Sequence, residues 1–198
     1  MSADANGRAH PPGRVFHAVL IACSLVILWA VSHPGIGLMP FAAAALAALV
    51  LMVAAVVWLV RLVRYRRAHG VQARSFAAAP VAAVVVLGLV STGVPLELRF
   101  TLSRGAFENQ VKRLQEAPSQ EAADRLQMPS RVGLYGVVTA AQVPAGVLFW
   151  ESNGAPIFDD AGLAYLPGGL TGVDEAVPLE SPRFRHVSGD WYAWTASW

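Results

Sequence analysis

Three apolar runs, residues 15–31, 38–60 and 76–94, contain no Asp, Glu, Lys or Arg, and an arginine cluster separates the second from the third. A helix needs about 20 predominantly apolar residues to cross a hydrocarbon core of ~30 Å, and each run comes close to that length. The expected fold is therefore a membrane α-helical part of three transmembrane helices followed by a small α+β domain. The organisation reads as a tail over 1–14, a three-span region over 15–96 with an Arg-rich loop at 61–75, and a polar domain over 97–198. Only 14% of the 198 residues are charged, against about 25% in soluble domains, as lipid burial requires.

Charge divides along the same line. Residues 1–96 carry seven arginines against Asp4, whereas residues 97–198 carry eight basic and twelve acidic side chains. The excess of positive charge thus flanks the apolar runs and does not form a nucleic-acid surface; the expected partners are the lipid bilayer and another envelope protein. Positive loops stay on the cytoplasmic side. Arg61, Arg64, Arg66 and Arg67 put the loop after the second run inside, and Arg8 and Arg14 put the N-terminus inside. The uncharged Ser32-His33-Pro34-Gly35-Ile36-Gly37 loop and the C-terminal domain then lie outside. Arginine outnumbers lysine fourteen to one, which reads as the codon bias of a GC-rich genome; the expected location is the bacterial cytoplasmic membrane.

The apolar runs offer little chemistry of their own. His17 is their only ionisable side chain besides Cys23, whereas coupled transporters need intramembrane charge. The arginines are read as a topology signal, with anionic lipid head groups as the functional alternative. Leu20-Ile21-Ala22-Cys23 is similar to a bacterial lipobox, which would make Cys23 a lipidation site. The competing reading is an ordinary helix cysteine, since the chain stays apolar through Val31. A signal cleavage after Ala30-Val31-Ser32 is a further alternative.

In the C-terminal part, Ser103 reads as a helix N-cap, and Phe107, Val111 and Leu114 recur at helical spacing up to a stop before Pro118. A second short helix is expected over 120–126. Strands follow at 132–138, 147–151, 157–158, 163–166, 183–187 and 191–198. Turns are expected at Ser152-Asn153-Gly154, Asp159-Asp160-Ala161-Gly162 and Ser188-Gly189-Asp190, and 167–182 reads as a surface loop. The domain is thus one amphipathic helix on an antiparallel sheet of about five or six strands.

No catalytic constellation stands out. The domain's serines lie in no Gly-x-Ser-x-Gly elbow, and His186 is its only histidine. Glu151, Asp159, Asp160 and Asp190 are isolated carboxylates, with no calcium-loop alternation. A Glu151–Asp159 pair across the Asn-Gly turn would suit glycoside hydrolysis, but nothing selects it. Trp191, Tyr192, Trp194 and Trp198 are the densest aromatic group and are read as core, or else as a binding platform with His186. No cofactor and no metal is expected. The leading functional expectation is a non-enzymatic membrane protein displaying an external domain for binding or assembly of envelope partners. The alternatives are an extracytoplasmic enzyme acting on envelope polymers or lipids, and an accessory subunit of a larger transporter.

Overall fold

The computed structural model describes residues 13–35, 37–69, 76–117, 128–153, 159–170 and 179–197. The chain divides into two compact units, Met1–Leu28 with Ala43–Thr92, and Trp29–Ala42 with Gly93–Trp198. The fold is α+β: the described residues form four helices and one six-stranded antiparallel sheet.

The apolar runs form α1 (Arg14–Ala30), α2 (Leu38–His69) and α3 (Ala78–Thr92). Among the described residues, only α2 is long and apolar enough to cross a membrane unaided. α3 reaches that standard only when counted with the following helix as one broken span. The three-span expectation is corrected accordingly to one or two candidate spans. The reason is helix length: 17 residues in α1 and 15 in α3 rise about 26 and 23 Å at 1.5 Å per residue, short of ~30 Å. The arginine cluster also differs from expectation. Instead of opening a loop at residue 61, α2 stays helical to His69, and Arg61, Arg64, Arg66 and Arg67 lie exposed along its last turns. Trp58 Nε1 donates to the Phe76 carbonyl at 3.2 Å, and the Tyr65 ring packs 5.3 Å from that of Phe76.

α4 (Val94–Gln115) starts earlier than the capping signal at Ser103 suggests. Gly93, in the left-handed conformation at φ 76°, is the residue before its first turn, and Pro95 occupies that turn, where its missing N–H costs nothing. Glu97 in the first turn and Lys112 and Arg113 in the last complement the helix dipole. Leu96, Phe100, Ser103, Phe107, Val111 and Leu114 are buried, spaced by threes and fours along one stripe. Ser103 is therefore not a cap. Its hydroxyl donates to the Arg99 carbonyl at 2.9 Å and accepts from the Leu134 N–H at 3.0 Å. The helix expected over 120–126 lies outside the described residues, as does the strand expected at 157–158.

The sheet comprises β1 (Arg131–Val132), β2 (Tyr135–Val143), β3 (Gly146–Glu151), β4 (Asp159–Tyr165), β5 (Glu180–Ser188) and β6 (Trp191–Ser197), in the order β1-β2-β3-β4-β6-β5. β6 pairs with β4 and β5, and Ser188 and Trp191 close the hairpin expected around Gly189. Asp159-Asp160-Ala161-Gly162 is strand, not turn. A side chain at Gly162 would run into the Phe149 carbonyl of β3, so glycine here marks close backbone approach. Pro182 sits on edge strand β5, where the register shifts between Glu180 and Arg183 and a missing donor is tolerated.

Both faces of the sheet are apolar. The face under α4 gathers Phe100, Phe107, Tyr135, Phe149, Leu163 and Trp191, with rings 5.1 to 6.3 Å apart. The opposite face gathers Leu148, Ala164, Leu166, Trp194 and Ala196. β6 serves both by the period-two alternation of a strand.

Candidate functional site

The segment between α1 and α2 was read as an uncharged outer loop, yet it is buried. Ser32, His33, Gly35 and Gly37 are all inaccessible. A side chain at Gly35 would meet Ala161 of β4, and one at Gly37 would meet the backbone of Asn153. This tight seating carries the His33 imidazole to the end of β3. There Nδ1 lies 2.7 Å from Glu151 Oε1, with the two side chains 0% and 3% exposed.

Glu151 faces α4 because β3 alternates: Val147 and Phe149 point to the helix side, and Glu151 follows two residues later. It pairs with Val137 of β2. Together with Tyr135, Phe107, Phe149 and Leu163 it lines a narrow apolar recess too small for water. Asn153 Nδ2 donates to the same Oε1 at 3.5 Å. Among the described residues, Glu151 Oε2, His33 Nε2 and the Tyr135 hydroxyl are buried without a hydrogen-bond partner. Native interiors hold few such groups, and each calls for an explanation.

Arg99 of α4 links the loop to the sheet. Its Nη1 donates to Ser32 Oγ at 3.3 Å and its Nη2 to the Leu134 carbonyl at 2.7 Å. Ser32 Oγ donates in turn to the Trp29 carbonyl at 2.6 Å, and the Trp29 ring meets His33 edge-on at 5.2 Å. The guanidinium also lies 4.3 Å from the centre of the Tyr135 ring, within cation–π range. Burial pushes the Tyr135 hydroxyl well above its usual range. Arg99 opposes that shift and Glu151 adds to it. Burial likewise lowers Arg99 from its ordinary value, while Tyr135 and Glu151 hold it up.

A carboxylate accepts only, so with Glu151 ionised the bond makes Nδ1 the donor. His33 Nε2 has no hydrogen-bond partner among the described residues, and a tautomer with its proton on Nδ1 would leave a lone pair there instead of a stranded N–H. A histidine oriented this way by a carboxylate is set up as a base or a metal ligand. Among the described residues, however, no group of three His, Cys, Asp or Glu comes together to hold a metal ion.

The chain matches no family model, no curated protein and no solved structure. The site is therefore read from its own geometry.

The candidates from sequence lie mostly elsewhere. Trp191 and Trp194 are buried at 1% exposure, one in each core cluster, and Tyr192 is half-buried. Trp198 lies outside the described residues. His186 is exposed; its Nε2 donates to the Gly189 carbonyl at 2.8 Å, and its ring packs 5.3 Å from that of Tyr192. Asp159 and Asp160 are half-buried on β4 and Asp190 is exposed in the β5–β6 turn. Cys23 is half-buried on α1. Of the carboxylates singled out, only Glu151 joins a buried polar cluster. Sequence reasoning missed His33, Arg99 and Tyr135. The available signal was a histidine set among Pro and Gly, a composition that permits close backbone packing.

Proposed function

We propose that this chain is a multi-pass protein of the bacterial cytoplasmic membrane that presents its α+β domain outside the cell membrane for binding or assembly with envelope partners. The observation that carries this reading is α2. Its most apolar window has a mean hydropathy of 2.8, and only 6% of that window is buried within the protein. A helix of this composition in the core of a soluble protein is mostly covered. Left bare, it demands lipid or a partner. Helix length alone supports one or two spans; in this reading, which goes further, α1 and α3 cross beside α2 and their short length is met by local thinning of the bilayer. The arginines closing α2 face the cytoplasm, which puts the N-terminus inside and the domain outside. The domain suits a binding role because it holds well-formed cores on both faces of its sheet.

The test is protease accessibility in intact spheroplasts, with an epitope after Trp198. Digestion without lysis is expected. Protection until lysis would overturn the topology. Purification in mild detergent should also recover a stoichiometric envelope partner, and recovery of the chain alone would count against assembly.

One observation favours a second reading, an enzyme acting on envelope polymers or lipids: His33 Nδ1 lies 2.7 Å from Glu151 Oε1 while Nε2 has no hydrogen-bond partner among the described residues. The buried pair would have to open to reach substrate. Loss of an in vivo phenotype in His33→Gln, with thermal stability retained, would favour it.

A further inference from the structure

α1, α2 and α3 line a half-open cavity of about 550 Å³, within the range of small-molecule sites. Its walls include Phe16 and Leu20 of α1, Leu51 and Trp58 of α2, and Ala83 and Val86 of α3. Along α2 the lining runs from Ala48 to Trp58, about 15 Å of helix axis. The space is thus elongated, and its walls are almost wholly hydrocarbon. Ser24 and the Trp58 indole are the polar exceptions, and the indole N–H is already committed to the Phe76 carbonyl. Nothing in these walls would recognise a polar ligand. They fit an alkyl chain.

The end of the cavity at Trp58 is different. One turn further along α2 comes Arg61, followed by Arg64, Arg66 and Arg67, all exposed. The Trp58–Phe76 bond and the Tyr65–Phe76 ring contact hold this basic end of α2 beside the start of α3. Among the described residues of this unit there is no Asp or Glu. An apolar slot that ends at uncompensated positive charge is complementary to an amphiphile with an anionic head. We infer that the helical unit holds one anionic membrane lipid, its acyl chain in the cavity and its head group on Arg61 and the arginines beyond it. This inference rests on the membrane reading above. A second copy of the chain would offer an apolar helix for the slot, but the described residues of its helical unit hold no acid for the arginines.

The experiment is native mass spectrometry of the full chain in mild detergent, titrated with phosphatidylglycerol or with phosphatidylcholine. One phosphatidylglycerol should bind at least tenfold more tightly than phosphatidylcholine. Arg61→Gln with Arg64→Gln, on an exposed helix end, should bring the two lipids to within about twofold. Ala83→Phe, which fills the slot, should weaken both lipids. Equal binding of the two lipids by the unaltered chain, or adducts that never saturate and ignore all three substitutions, would overturn the inference. So would a dimer that Ala83→Phe dissociates, since the slot would then belong to a second copy. Alkaline extraction separates the two levels. A chain released from membranes takes the membrane reading down with the lipid site, whereas a retained chain without lipid preference overturns the lipid site alone.

Discussion

His33 Nδ1 and Glu151 Oε1 lie 2.7 Å apart and out of reach of water, although 118 residues separate them in the chain. The bond fastens the segment between α1 and α2 to the end of β3. A buried pair is destabilising when half of it is removed, because the remaining polar group stays in low dielectric without its partner. Glu151→Ala and His33→Ala should each lower stability by about 3–5 kcal/mol. His33→Leu combined with Glu151→Leu should recover most of that loss, since two apolar side chains leave nothing unpaired. Urea unfolding in mild detergent, followed by tryptophan fluorescence, measures all of the variants. Additive losses would mean that the two residues do not act as a unit.

The seating of that segment depends on an absent side chain. A methyl group at Gly37 would collide with the Asn153 backbone, and backbone cannot move aside as a flexible side chain can. Gly37→Ala should cost about 1–3 kcal/mol, the usual range for overpacking. Gly105, exposed in the interior of α4 with open space around it, provides the contrast. Gly105→Ala should stabilise by about 0.5–1 kcal/mol through helix propensity alone. Opposite signs from one chemical change, read by the same unfolding curves, would locate the constraint at residue 37.

Tyr135 predicts a pH dependence. Its hydroxyl is buried without a hydrogen-bond partner among the described residues, and burial raises its pKa above the ordinary 10.0. An unfolded tyrosine gives up its proton near that value, while the folded one keeps it. Above pH 10 the native state therefore holds more protons than the unfolded state, and stability falls as pH rises. The loss attributable to this residue is at most about 1.4 kcal/mol per pH unit. Tyr135→Phe should remove that part of the slope. Near pH 7 it should be neutral or slightly stabilising, because it deletes an unsatisfied polar atom. Unfolding curves of both proteins between pH 8 and about 11 check the difference.

Local patterns in the sequence carried much of the fold and little of the site. Phe107, Val111 and Leu114 mark the buried stripe of α4, and Ser188-Gly189-Asp190 marks a hairpin, because both signals are decided by neighbours in the chain. Ser103 misleads as a cap because its hydroxyl answers the Leu134 N–H, a partner 31 residues away. Asp159-Asp160-Ala161-Gly162 misleads as a turn because the demand for glycine comes from the facing carbonyl of Phe149. Counting apolar residues also overstated the spans, since the run 76–94 includes the residues flanking a 15-residue helix that stops short of Gly93. The His33–Glu151 pair had no local signature beyond a histidine set among Pro and Gly. A histidine in a Pro/Gly loop and a glutamate closing a strand become a site only once the tertiary fold brings them together.

The aromatic terminus separates packing from binding most directly. Trp191 packs against Phe100, Phe107, Phe149 and Tyr165 under α4. Trp194 packs against Trp150 on the other face and donates its indole N–H to the Leu163 carbonyl at 3.3 Å. Each fills its own core cluster, so Trp191→Ala and Trp194→Ala should each cost about 3–5 kcal/mol and should add nearly independently in the double variant. Tyr192 lies between them, half-buried, with His186 against its ring. Tyr192→Ala should cost clearly less than either tryptophan. If Trp191→Ala or Trp194→Ala leaves the unfolding midpoint unchanged yet abolishes recovery of an envelope partner, those rings contact the partner and the core assignment fails. If Tyr192→Ala and His186→Ala abolish recovery while the fold is intact, the binding surface lies on the face of β5 and β6 that carries these two residues.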